Sequence, residues 1–162
     1  MSVLKLYLRA DGDAWGLLTQ ALALHGLPSL PTVERTDRGK PYFPDHPDLH
    51  FNLSHTRGFS LCALSDSPVG VDVETIRPRS EDLWQYCLTE EEWDKFQTQQ
   101  GGWPDFYRLW TLKEAWCKCT GEGLGHPKRW FLPPPMPHRS YSGDGWAAAV
   151  CAAEPPGDLI LL

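Results

Sequence analysis

No run of lysine or arginine occurs anywhere in the chain, and 15 basic residues face 21 acidic ones, for a formal charge of −6. A protein that grips a nucleic-acid backbone needs a basic face, so no nucleic-acid partner is expected. No apolar stretch approaches the ~20 residues that a bilayer crossing requires. The segment MSVLKLYLRADGD alternates only briefly before charges arrive, so neither a signal peptide nor a membrane anchor is expected. The five cysteines (Cys62, Cys87, Cys117, Cys119, Cys151) are odd in number and scattered. Cys117 and Cys119 would lie about 200° apart around a helix and so do not converge on one metal. A reduced, cytoplasmic protein is the simplest account. Ser54 and His55 are adjacent, which on a strand sends them to opposite faces, and no nucleophile elbow surrounds them; a hydrolase is not favoured. Gly121 to Gly125 fits no phosphate-cradling glycine pattern, which disfavours a general nucleotide hydrolase.

What is present in quantity is tryptophan, eight residues, and proline, fifteen, in a chain of 162. That balance predicts a well-fixed core with many loops, in one domain or two small lobes that share a core. Val3 to Arg9 reads as a strand and Ala14 to His25 as a helix ended by Gly26. Val33 to Thr36 is a short strand at most, and Asp37-Arg38-Gly39-Lys40-Pro41 is turn chemistry. Further strands are expected at His50 to His55, Phe59 to Ser65 and Val69 to Glu74. Ser80 is placed to cap a helix over Glu81 to Cys87, and Thr89-Glu90-Glu91-Glu92 fits a capping box for a helix to Gln100. Trp130 to Leu132, Trp146 to Ala152 and Asp158 to Leu162 read as strands.

The chain is organised around one helix, Asp105 to about Thr120, DFYRLWTLKEAWCKCT, with Asp105 as its cap and Gly121 as its left-handed end. Phe106, Leu109, Trp110, Leu112, Ala115 and Trp116 recur at helical period, and Glu114 and Lys118, four apart, share one side. Upstream, VGVDVE alternates strictly. Val69, Val71 and Val73 face a core, while Gly70, Asp72 and Glu74 share the other face. Two same-face carboxylates repel unless solvated or bridged by a cation. Gly70 beside them is expected to leave room for a ligand to reach the backbone. In HFNLSHT, Phe51 and Leu53 point one way and Asn52 and Ser54 the other.

Taken in order, GKP (39–41), FNLSHT (51–56), VGVDVE (69–74) and FYRLWTLKEAWCKCTGEGL (106–124) resemble the blocks of the 4′-phosphopantetheinyl transferases of the surfactin-synthetase-activating type. The resemblance runs from about Gly39 to Leu124 and returns faintly at Ala147 to Ala153. The small trimeric holo-acyl-carrier-protein synthases share the Lys-Glu helix but lack the Asp72-x-Glu74 spacing and the upstream blocks. The resemblance implies an α+β fold of two similar α/β lobes in pseudo-twofold arrangement, residues 1–76 and 77–162, with the active site in the cleft between them. It implies transfer of the phosphopantetheine arm of coenzyme A to a serine of an apo acyl or peptidyl carrier protein by a cytoplasmic monomer. A catalytically inactive coenzyme A- or carrier-binding homologue is the alternative.

The resemblance also assigns roles. Asp72, Glu74 and Glu114 would hold Mg²⁺ or Mn²⁺, a set that suits a cation which takes carboxylates, phosphate oxygens and water. Glu114 would be the base for the carrier serine, with Asp72 and Lys118 completing the catalytic group. Lys113 and Lys118 would hold phosphates, His55 with Ser54 beside it would meet a coenzyme A phosphate, and Lys40 would line the adenine pocket. The carrier would be met at the helices after Ser80, with Arg77, Arg79 and the Trp84 region as candidates. Ahead of Lys40 stand only Lys5, Arg9, Arg35 and Arg38, so weak discrimination between coenzyme A and its 3′-dephospho form is expected, with Arg35 or Arg38 supplying what remains.

Overall fold

The computed structural model describes residues 3–162. In chain order the elements are β1 (Leu4–Arg9), α1 (Ala14–Leu24), β2 (Glu34–Arg35), β3 (Pro41–Tyr42), β4 (His50–Thr56), β5 (Phe59–Ser65) and β6 (Val69–Thr75). There follow α2 (Asp82–Cys87), α3 (Glu90–Thr98), α4 (Trp103–Thr120), a 3-10 turn (Pro127–Arg129), β7 (His138–Gly143), β8 (Trp146–Ala152) and β9 (Ile160–Leu161). The fold is mixed α+β. One sheet runs β4-β5-β1-β9, a second runs β6-β8-β7, and β2 and β3 form a small hairpin. All pairings are antiparallel except that of β1 with β9.

The alternation of each strand sorts its side chains into layers. Leu6, Leu8, Leu61 and Ala63 of the first sheet meet Val69, Val71, Val73, Ala148, Val150 and Ala152 of the second, so the sheets pack face to face. On the outer face of the first sheet, Leu17, Leu18, Ala21 and Leu22 of α1 cover Tyr7, Phe51, Cys62 and Leu64. On the outer face of the second, Leu112 and Ala115 of α4 cover Ala149 and Cys151. The order of layers is therefore helix, sheet, sheet, helix. Trp84, Trp93, Trp103 and Trp110 gather around Phe96 and Phe106, clamping α2 and α3 to the start of α4.

The strands of β1, β4, β5, β6 and β8 and the helix α1 stand where their periodicity predicts. Several local readings are corrected. The central helix starts two residues earlier, at Trp103, with Gly102 in the cap position. Asp105 Oδ2 instead accepts from the Gly102 N–H at 2.9 Å, reaching back one turn. Gly121 does close it, at φ 74°. Ser80 caps nothing, because Glu81 takes that place in helical conformation without a side-chain bond. Thr89 and Glu92 do form the capping box. Trp130 to Leu132 is not a strand, since the chain leaves the 3-10 turn there and Trp130 buries its ring against Trp116. The closing strand is only Ile160–Leu161, and β7, HRSYSG, is too polar to have announced itself.

Gly70 also has a different use. A side chain there would run into the backbone of α4, at the Ala115 carbonyl and the Cys119 amide. The missing side chain admits the helix, not a ligand. Gly70→Ala is therefore expected to cost about 1–3 kcal/mol by overpacking, as a lower midpoint in denaturant titration. An unchanged midpoint would mean that α4 moves aside without penalty.

Candidate functional site

The site lies where β4 and β6 run side by side without a shared backbone ladder. β6 spends one edge on β8, which leaves the N–H groups of Val71, Val73 and Thr75 on its other edge. Three alternating side chains of β4 answer them. Asn52 Oδ1 accepts from Val71 N–H at 2.9 Å, Ser54 Oγ from Val73 N–H at 3.0 Å and Thr56 Oγ1 from Thr75 N–H at 3.1 Å. Buried amides demand partners, so these polar residues substitute for strand pairing. Ser54 then donates to Asp72 Oδ1 at 3.0 Å. Its hydroxyl is thus engaged in orienting Asp72, and Ser54 is 6% exposed, which leaves it poorly placed to meet a phosphate.

Lys118 reaches the same spot from α4. Its Nζ donates to Val71 O at 3.0 Å and Leu53 O at 3.3 Å and stands 3.8 Å from Asp72 Oδ1. One ammonium thus joins the two sheets and faces the buried carboxylate. Among the described residues the carboxylate that Lys118 pairs with is Asp72; Glu114, one turn before it on α4, feels its charge without an ion pair. Asp72, Glu74 and Glu114 are brought near enough to feel one another. Burial pushes the Asp72 carboxyl well above the usual range; Lys118 and Ser54 pull it back, and the Glu74 and Glu114 charges raise it further. Glu74 is raised by burial and then by Glu114, against Lys118, the Trp110 side chain and Arg79. Glu114 is raised by burial against Lys118. Because the charged forms are the disfavoured ones, the contribution of these three carboxyls to folded stability is fully present only below the ordinary carboxylate range. It falls as pH rises through it, where the native state still holds protons that the unfolded chain has released.

One atom of that arrangement lacks the partner that a cation would supply. Asp72 Oδ2 is buried and has no hydrogen-bond partner among the described residues. A buried, unpartnered carboxylate oxygen is costly unless something positive meets it. Among the described residues no three His, Cys, Asp or Glu side chains stand together as a ready cage. Like charges held by one ammonium have reason to stay apart.

Of two lysines read as phosphate or cofactor ligands, Lys113 stands elsewhere and Lys40 lines the site with its ammonium already engaged. Lys113 is fully buried on a different face of α4, 2.6 Å from Glu92 Oε1, and donates to Pro127 O at 3.2 Å. It does not join the site: one residue along a helix is a 100° turn away from Glu114. Lys40 lies at the site's edge, but its Nζ is committed to Lys118 O at 2.7 Å, Val69 O at 3.1 Å and Cys119 O at 3.3 Å. It caps the carbonyl end of α4 and ties the β2–β3 hairpin to it.

Beside Lys118 opens a cavity of about 360 Å³ whose lining includes His55, Lys40, Arg35, Arg38 and Trp15. His55 is exposed at its wall. Arg35 Nη1 donates to Gly39 O at 2.9 Å within the hairpin, and Arg38 Nη1 donates to Glu122 O at 2.5 Å, which ties the hairpin to the loop after α4. No carboxylate lines this cavity among the described residues, in a chain with net charge −6. Sequence reasoning passed over Trp15, although an aromatic residue off the buried stripe of α1 was a signal that could have found it. It also left unread the pairing of Thr56 with Thr75.

Comparison with known proteins gives the same direction. The family model described as the 4′-phosphopantetheinyl transferase superfamily matches residues 68–144. The chain is 34% identical over 139 residues to a 4′-phosphopantetheinyl transferase of Bacillus subtilis, covering 72% of this chain and 61% of the relative. It is 33% identical over 147 residues to the 4′-phosphopantetheinyl transferase Sfp of Bacillus subtilis (strain 168), covering 76% and 65%. It is 35% identical over 109 residues to the L-aminoadipate-semialdehyde dehydrogenase-phosphopantetheinyl transferase of Xenopus laevis, covering 57% and 36%. The chain thus spans less than two thirds of the length of these relatives.

Proposed function

The chain belongs to the 4′-phosphopantetheinyl transferase superfamily, and we propose that it moves the phosphopantetheine arm of coenzyme A onto a serine of an apo acyl or peptidyl carrier protein. The observation that carries this reading is the meeting of Lys118 with the mutually strained carboxylates Asp72, Glu74 and Glu114 beside a basic cavity. In this reading residues 1–76 and 77–162 form two pseudo-twofold lobes with the donor in the cleft. Helix α1 backs the first sheet as α4 backs the second, and β6 and β9 are exchanged between the halves. A cytoplasmic monomer suits the five free thiols and the absence of a described helix long and apolar enough to cross a membrane.

The donor's adenosine phosphates would sit in the basic cavity, with His55, Arg35 and Arg38 on its walls. Asp72, Glu74 and Glu114 would hold Mg²⁺ or Mn²⁺, whose charge would neutralise the pyrophosphate oxygens. Glu114 takes the proton from the carrier serine hydroxyl as its oxygen bonds to the phosphorus that bears pantetheine. The bond from that phosphorus to the bridging oxygen breaks, and adenosine 3′,5′-bisphosphate leaves with its new negative charge facing Lys118. Ser54 keeps Asp72 oriented throughout.

The test is incubation with coenzyme A, Mg²⁺ and a panel of apo fatty-acid, polyketide and peptide carriers, followed by mass spectrometry. A gain of one phosphopantetheine on at least one carrier is expected. Coenzyme A binding with no gain on any of them would leave an inactive binding homologue.

A further inference from the structure

Among the described lining residues of the basic cavity, Trp15 is the one large aromatic side chain. It sits in the first turn of α1, off the stripe of Leu17, Leu18, Ala21 and Leu22 that the first sheet buries, and it is 39% exposed. Its ring is nevertheless held. It meets the buried Phe51 edge-on at 6.1 Å and 66°, and Phe51 is itself stacked on Phe43 at 4.4 Å. A ring braced from below by a buried aromatic pair, with surface left open in a cavity, is a rigid platform that has lost its freedom before any ligand arrives. Around it stand Arg35, Arg38, His55 and Lys118, with no carboxylate among the described lining residues. Arg35 uses one N–H on the Gly39 carbonyl and Arg38 one on the Glu122 carbonyl of the loop after α4, which keeps both in place and leaves the remaining donors of the guanidinium fork. Cationic walls alone would suit any phosphate. Cationic walls with a braced aromatic face suit a phosphorylated planar ring, which is a nucleotide.

We propose that Trp15 is the stacking surface for the purine of the donor nucleotide, so that this protein grips its donor by a π-face as well as by phosphate contacts. The proposal rests on the transferase reading above, which supplies the nucleotide, and adds the residue that recognises its base. Lys40 is committed to two carbonyls of α4 and one of β6, so the base is held by the indole and not by that ammonium.

The experiment is calorimetric titration of the full chain with adenosine 3′,5′-bisphosphate and with coenzyme A, at several salt concentrations. Wild type is compared with Trp15→Ala, Trp15→Leu and Trp15→Phe. Base stacking on an aromatic side chain corresponds to about 5- to 150-fold in affinity, so Trp15→Ala and Trp15→Leu should each lose that much for both ligands. Trp15→Phe should recover most of it. Stacking carries no charge, so the salt dependence of binding should keep its slope in all three variants. Leucine rescuing as well as phenylalanine would show that only apolar cover is needed and would overturn the stack. So would unchanged affinity in Trp15→Ala, or a flattened salt slope, which would mark a collapsed cavity. A wild-type protein that binds neither ligand would remove the transferase reading and the proposal together.

Discussion

Glu114→Gln is expected to lower kcat for phosphopantetheine transfer by about 10²–10⁴-fold, the range for loss of a positioned general base, while coenzyme A affinity changes much less. The substitution keeps the size and shape of a side chain that α4 presents toward Asp72 and Glu74. It removes the ability to accept a proton and one negative charge from a strained set. The pH profile gives an independent reading. Burial raises the Glu114 carboxyl, against the pull of Lys118. A base must be deprotonated to act, so activity should rise with pH along a limb lying above the ordinary glutamate range, and that limb should vanish in the glutamine variant. A variant within about tenfold of wild type, on the scale of a lost general base, would assign the proton transfer to another group.

Lys113→Met is expected to act on stability, not on the donor. Glu92 already closes the capping box of α3 through Thr89 N–H at 2.9 Å and accepts from Leu132 N–H at 2.9 Å, with Lys113 supplying the balancing charge. Removing one partner of a buried pair strands the other, at about 3–5 kcal/mol. For a chain of this size that is a fall in Tm of about 6–20 °C. Burial also lowers the Lys113 pKa, against the support of Glu92, as expected of an ammonium kept charged by one partner. The assay that separates the two roles is the KM for coenzyme A measured well below the variant's Tm. A raised KM with unchanged Tm would return Lys113 to the phosphates. An unchanged KM with a large Tm loss would leave it as the pin between α3 and α4.

Lys113 and Glu114 are also instructive for what a sequence discloses. Neighbours in a motif carry equal weight on paper, yet a helix turns them apart, one to a buried clamp and the other to the carboxylates. Asn52 and Ser54 were readable as polar residues sharing one strand face. Their service as substitute strand partners for Val71 and Val73 required knowing that β6 offers only one edge to β8. Gly70 was rightly singled out for its missing side chain, but what fills the space is the protein's own helix.

The sequence by itself determined which side chains share a face: Asp72 with Glu74 on β6, and Glu114 with Lys118 on α4. Those groupings follow from strand and helix periods, which are properties of a few consecutive residues. It also determined the capping box at Thr89 and the stop at Gly121, again through local backbone chemistry. Only the tertiary structure decided which cation serves which anion or carbonyl. Each ammonium rides on a flexible four-carbon stem, and its partners come from remote segments. Lys40 ends on carbonyls of α4 78 and 79 positions away, and Lys118 on a carbonyl of β6 47 positions away. Desolvation makes such pairings nearly obligatory once the groups are buried, but burial is set by how sheet packs on sheet and helix on sheet, and no local pattern contains that.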